Sequence, residues 1–142
     1  MKIGILQTGI AADALIKKHG DYPDNFKTFL QDRGFQFEVY EVINNIFPED
    51  IYECDGWLVT GSRHGAYEAH DWIPPLEKFI CDLYEADIPL IGVCFGHQII
   101  AQALGGVVEK FKNGWTVGRQ VYENKKGEKI ILNAYHQDQV IS

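Results

Sequence analysis

One stretch of this chain leaves little freedom about its fold: Pro89-Leu90-Ile91-Gly92-Val93-Cys94-Phe95-Gly96-His97-Gln98. An apolar run of strand character, Ile88 to Cys94, passes without a linker into Phe95 to Leu104. There the apolar residues recur at helical spacing and Gly105-Gly106 closes the run. The residue at the corner is a cysteine with glycine two positions before it and two after. That spacing is the nucleophile-elbow pattern, with sulfur in place of a serine hydroxyl. The corner residue is forced into a strained backbone conformation, and side chains at the flanking positions would collide, so glycine occupies both. Such a corner projects the sulfur at the C-terminal edge of a sheet, where open α/β folds bind ligands. It also places the sulfur at a helix N-terminus, whose partial positive charge favours thiolate over thiol.

The same alternation runs through the preceding residues. Lys2 to Gln7 is a β-rich run ending at Thr8-Gly9. Asp21 to Arg33 has helical spacing, with Phe26, Phe29 and Leu30 on one face and Gly34 as its stop. Phe35 to Val42 alternates apolar and polar residues like a strand covered on one face. Trp57-Leu58-Val59 marks a short buried strand within Asp55 to Thr60, followed by the polar loop Gly61-Ser62-Arg63-His64-Gly65. Pro74-Pro75 opens a helix predicted over Ile73 to Ala86, with Leu76, Phe79, Ile80 and Leu83 on its apolar face. Ile88 to Cys94 is expected to be buried like Trp57-Leu58-Val59.

Strands alternating with helices predict an α/β fold: a mostly parallel sheet with helices on both faces and right-handed crossovers. Beyond the elbow helix the character changes. Val107 to Val121 and Lys129 to Ala134 read as strands with turns at Asn113-Gly114 and Lys126-Gly127, predicting an antiparallel flap. There is no internal repeat, low-complexity tract or linker, so residues 1–142 are expected to form one domain.

Composition narrows the function classes. A net charge of -7, with no cationic cluster longer than Lys17-Lys18 or Lys125-Lys126, argues against nucleic acid as a partner. The apolar stretches fall short of the ~20 residues a spanning helix needs, and the N-terminus carries no signal-peptide cleavage pattern. The three cysteines, Cys54, Cys81 and Cys94, show no CxxC spacing, which disfavours a disulfide scaffold or a cysteine zinc site and fits a cytoplasmic protein. Cys54 and Cys81 are expected to be small buried hydrophobes. His19 and His70 lie in polar surroundings and are expected to be exposed, and His97 is expected to pack within the elbow helix.

Gly92-Val93-Cys94-Phe95-Gly96-His97-Gln98 resembles the signature of class I glutamine amidotransferases, especially the branch similar to the glutaminase domain of GMP synthase. Val59 to Tyr67 resembles that family's glycine loop. Leu104-Gly105-Gly106, Gly114-Trp115 and Val117-Gly118 match as well, so the resemblance covers nearly the whole chain. It implies a flavodoxin-like sheet and a reaction in which the Cys94 thiolate attacks the glutamine side-chain amide, giving a γ-glutamyl thioester and ammonia. Gln98 is implied to help bind glutamine. Elbow mechanics make the N–H of Phe95 one oxyanion donor. The resemblance implies a second donor from the loop at Gly61, with Ser62 as its near neighbour. Relatives often carry Gly-Gly-Pro there, and Gly61-Ser62-Arg63 departs from that pattern. Arg63 and His64 are expected to be solvated loop residues.

His136-Gln137-Asp138-Gln139-Val140 resembles a His-x-Asp-x-Val stretch that borders the glutamine site, so His136 and Asp138 are expected to contact substrate. The family's base and orienting acid come from a later His-x-Glu segment that does not occur up to Ser142. The sequence is therefore expected to be a fragment of a longer chain. The competing reading is a shortened form in which His136 and Asp138 serve as base and orienter. No metal, nucleotide or organic cofactor is implied for glutamine hydrolysis, and any coupled amination would need a synthetase subunit to receive the ammonia. Hydrolysis of γ-glutamyl peptides or conjugates uses the same chemistry and stands as an alternative. A catalytically inactive or redox-sensing cysteine-elbow domain is a third reading.

Overall fold

The computed structural model describes residues 1–124 and 126–142; Lys125, half of the Lys125-Lys126 pair, lies outside the described residues. Four strands form a fully parallel sheet: β1 (Lys2–Leu6), β2 (Gln36–Tyr40), β3 (Gly56–Val59) and β4 (Leu90–Gly92), in the order β2-β1-β3-β4. Leu6 pairs with Tyr40 and Val59, and Val59 pairs with Gly92. This common register brings Gln7-Thr8, Thr60-Gly61 and Val93-Cys94 out along one edge. The β1–β2 and β3–β4 connections step in opposite directions across the sheet. With right-handed crossovers, their helices fall on opposite faces.

The first connection holds α1 (Asp13–His19) and α2 (Tyr22–Leu30). The Asp21 carboxylate caps α2, accepting from the Tyr22 N–H at 2.8 Å, while the Asp24 carboxylate accepts from the Asp21 N–H at 3.0 Å. Asp21 also accepts from the Gln7 side chain and the Ala11 N–H, both at 2.8 Å, which anchors the helix to the end of β1. Gly34 ends the segment in the left-handed region at φ 70°. Two details depart from the sequence reading. Phe29 is 82% exposed, since the inward stripe is Tyr22, Pro23, Phe26 and Leu30. Helix α1 has no counterpart in that reading: its seven residues bury none, so no apolar periodicity announces it.

The second face is the main core. Helix α3 (Ile73–Glu85) buries Ile73, Leu76, Phe79, Ile80 and Leu83, and α4 (Phe95–Ala103) buries Phe95 and Ile99 beside it. These meet Leu6, Trp57 and Val59 from the sheet. Trp57 fits because β1 carries Gly4 opposite it: a Cβ there would lie 2.3 Å from the indole ring. The expectation that the strand before the elbow is buried throughout is corrected. Ile91 pairs with Leu58 on the face away from α3 and α4, and it is 63% exposed because β4 stands at the edge of this sheet.

The predicted flap is present as two antiparallel pairs. Strands β6 (Thr116–Glu123) and β7 (Lys129–His136) form a hairpin, while β5 (Val108–Lys110) pairs with β8 (Asp138–Val140). Gly114 at φ 94° and Gly127 at φ 79° supply the left-handed turn positions. Among the described residues, no helix is long and apolar enough to cross a membrane.

Candidate active site

Cys94 sits between β4 and α4 with φ 56° and ψ −110°, a conformation that a residue with a side chain adopts only under constraint. The constraint is steric, and both flanking glycines are part of it. A Cβ on Gly92 would lie 2.3 Å from the carbonyl of Gly96, and one on Gly96 would lie 2.3 Å from the Val59 carbonyl oxygen. Strand and helix can therefore meet this closely only without side chains there. The Val93 N–H donates to the Val59 carbonyl at 3.0 Å, holding the elbow to the end of β3. Cys94 itself is exposed.

The glycine loop lies next to the elbow. A Cβ built on Gly61 would sit 3.8 Å from Cys94 Cβ and 3.9 Å from the Val93 carbonyl. The N–H of Phe95, at the start of α4, and the N–H of Gly61 donate to no protein acceptor among the described residues. A buried hydroxyl pair fixes the loop's origin. The Thr8 N–H donates to Thr60 Oγ1 at 3.0 Å, and Thr8 Oγ1 donates to the Thr60 carbonyl at 3.0 Å. Gly9 packs so tightly on the loop that a Cβ would lie 2.7 Å from the Gly61 carbonyl. Ser62 Oγ accepts from the His64 N–H at 3.2 Å, turning the loop beneath the cavity.

Loop and elbow together open onto a cavity of about 510 Å³. Its floor is Gly61 to Gly65, Cys94 and Gln98; Tyr22, Phe26, Trp115 and Tyr135 form apolar walls, and His136 to Asp138 close one side. Tyr22 has its phenol pKa raised, mainly by burial and then by the nearby Cys94 and Asp21.

The polar side is an interlocked set. The buried Gln98 amide donates from Nε2 to the Asp138 carbonyl at 3.1 Å. The Tyr67 hydroxyl donates to Asp138 Oδ1 at 3.0 Å, and its pKa is pushed up to about 12, first by burial and then by that carboxylate. His136 Nδ1 lies 3.1 Å from the Asp138 main-chain oxygen. The imidazole of His136 thus faces a carbonyl and not the Asp138 carboxylate, which Tyr67 occupies. A base–orienter pair of His136 and Asp138 is not formed.

This geometry has counterparts. A family model described as glutamine amidotransferase class-I matches residues 16–142. The chain belongs to the class I glutamine amidotransferase family. Gamma-glutamyl peptidase 4 of Arabidopsis thaliana is 34% identical over 140 residues, covering 88% of this chain and 56% of that protein. The glutamine-hydrolyzing GMP synthase subunit of Methanopyrus kandleri is 28% identical over 142 residues, covering 89% of this chain and 68% of its own length. The crystal structure of a glutamine amido transferase from Methylobacillus flagellatus superposes with a TM-score of 0.75 at 22% identity, over 98% of this chain and 56% of that one. That likeness shows the flavodoxin-like fold. The chain spans about half the length of several curated relatives it matches.

The three cysteines of this family member differ as their surroundings dictate. Cys54 is buried, and its thiol pKa is raised mainly by desolvation. Cys81 is half-buried and donates to the Ala103 carbonyl at 3.3 Å between α3 and α4. His97 is exposed and does not pack in the helix interface as expected. His70 is half-buried and not exposed, because its ring stacks on Trp72. His64 is likewise half-buried. Sequence reasoning misses Thr8, Gly9 and Thr60. A signal for them lies in the pairing of Leu6-Gln7-Thr8-Gly9 with Leu58-Val59-Thr60-Gly61, two strand ends that each close on Thr-Gly. Tyr22, Tyr67 and Tyr135 carry no comparable local mark.

Proposed function

We propose that this protein hydrolyses the side-chain amide of glutamine through a covalent thioester at Cys94. The Cys94 sulfur attacks the amide carbonyl carbon, and the carbonyl oxygen takes the electron pair as an oxyanion. Collapse of that intermediate breaks the carbon–nitrogen bond, and the nitrogen leaves as ammonia after taking the proton that the thiol gave up. Water then hydrolyses the thioester, returning the thiol and glutamate. The N–H groups of Phe95 and Gly61 are the oxyanion donors, each worth about 3 kcal/mol in such sites. Gln98, Ser62, His136 and Asp138 line the glutamine pocket; Gln98 acts in part by holding the Asp138 carbonyl.

The observation that carries this reading is a strained, exposed cysteine and a glycine loop that line one open cavity together. Ammonia release from glutamine tests it. Cys94→Ala should abolish turnover, whereas Cys54→Ala and Cys81→Ala should retain it; retained turnover in Cys94→Ala overturns the reading.

The aromatic walls favour a second substrate class. Tyr22, Phe26, Trp115 and Tyr135 present more apolar surface than the polar side chain of free glutamine needs. Similarity to a γ-glutamyl peptidase points the same way. For γ-glutamyl peptides or conjugates the leaving group is an amine in place of ammonia. Comparing kcat/KM for glutamine and for a γ-glutamyl dipeptide separates the two. In the amidotransferase branch, ammonia would pass to a synthetase partner.

A further inference from the structure

The loop from β3 to α3 carries a second group of reactive side chains, beyond those assigned to amide hydrolysis. His64 Nδ1 lies 3.2 Å from Glu68 Oε2, and His70 Nε2 lies 2.8 Å from the same oxygen. The three potential donor atoms all lie within 4.8 Å of one another. A tetrahedral zinc with bonds of ~2.1 Å to nitrogen and oxygen needs donor–donor separations of about 3.4 Å. Two of the three edges already stand within roughly 0.6 Å of that value.

The supports are those of a prearranged ligand set. The His70 ring stacks on Trp72 at 5.7 Å and 12°, and Trp72 is buried in the core. The two imidazoles meet edge to face at 4.2 Å between centroids. Backbone turns fix the spacing: the Glu68 N–H donates to the Gly65 carbonyl and the His70 N–H to the Glu68 carbonyl, both at 3.0 Å. Two imidazole nitrogens and one carboxylate oxygen, gathered this closely, are a donor set that suits a borderline-soft dication.

We infer that His64, Glu68 and His70 form a binding site for a first-row transition-metal dication of the zinc type, at the rim of the Cys94 cavity. His64 and Glu68 also line that cavity, so the metal would clamp the segment that begins with Gly61. Solvent completes the coordination, because all three side chains are partly exposed. The inference does not rest on Cys94 being a nucleophile.

The test is a direct metal titration, with zinc against a chromophoric chelator and with cobalt by absorption, in a Cys94→Ser background so that the thiol does not compete. The expected result is one equivalent bound, with a cobalt spectrum free of thiolate charge transfer. His64→Gln, Glu68→Gln and His70→Gln should each weaken binding by at least about tenfold, and His19→Gln should leave it unchanged. In the wild-type protein, cobalt should broaden the ring resonances of His64 and His70 ahead of those of His19, a readout needing no variant. Binding that survives the double His64→Gln, His70→Gln change overturns the inference. So does binding lost in Cys94→Ser, or the absence of ring broadening at stoichiometric cobalt.

Discussion

Gly96→Ala is the change that most sharply separates a working elbow from a coincidence of glycines. The added methyl carbon would start 2.3 Å from the Val59 carbonyl oxygen, 2.9 Å from its carbon and 3.0 Å from Val59 Cβ. Two of these neighbours are backbone atoms of a strand in the middle of the sheet, so no side-chain rotation relieves the clash. Reaching an ordinary contact of 3.4 Å requires α4 to retreat from β3 by about 1.1 Å. Overpacking of this kind costs about 1–3 kcal/mol, and the rigid partner places the cost at the upper end. For a domain of this size that lowers Tm by roughly 8–12 °C. The retreat also carries Cys94 and the Phe95 N–H away from Gly61. A misplacement of about 1 Å costs on the order of 100-fold in rate. Gly61→Ala is the matched control. Its new methyl meets nothing closer than 3.8 Å, and Gly61 is not in the left-handed region, so Tm should stay within about 2 °C. Its methyl would nevertheless stand 3.8 Å from Cys94 Cβ, on the loop that faces the elbow, so activity should fall without loss of stability. Differential scanning calorimetry and glutamine turnover on both variants decide the matter. Wild-type Tm and wild-type rate in Gly96→Ala would refute the reasoning.

Two further outcomes are expected. Thr60→Val keeps the shape of the side chain but strips the acceptor from the buried Thr8 N–H, which should cost about 1–3 kcal/mol in urea denaturation. An unchanged midpoint would mean the loop's origin is fixed otherwise. The Glu68 carboxyl is depressed from 4.5 to about 2, so its contribution to stability is fully present above pH 4.5 and is lost as pH falls towards 2. Carboxyl NMR should find its midpoint near the lower value, and Glu68→Gln should flatten that part of the stability profile; a midpoint near 4.5 contradicts the arrangement drawn for His64 and His70.

Local pattern is informative wherever one interaction dominates. Trp57-Leu58-Val59 is apolar because it lies at the centre of the sheet, and the Gly92 and Gly96 spacing is a contact requirement between neighbours in sequence. Where partners are distant, the pattern misleads. Ile91 looks as buried as Leu58 in sequence, yet sheet order puts it at an edge. Phe29 has helical spacing with Phe26 but a different rotation about α2, and α1 has no buried face to betray it. The polar ring is least legible. The Tyr67–Asp138 bond spans 71 residues, and the Gln98–Asp138 bond spans 40. Such contacts exist only after β5 and β8 pair, so neither spacing nor composition foretells them. The His64, Glu68 and His70 group shares this property in milder form. Its members are close in sequence, but the turns at Gly65 and Glu68 that gather them leave no periodic mark.

The decisive measurement is the site of covalent capture. A diazo-ketone analogue of glutamine, incubated with the protein and followed by peptide mass spectrometry, should leave one adduct, on Cys94, and excess glutamine should suppress it. An adduct on Cys54 or Cys81, or none at Cys94 under turnover conditions, would contradict the account.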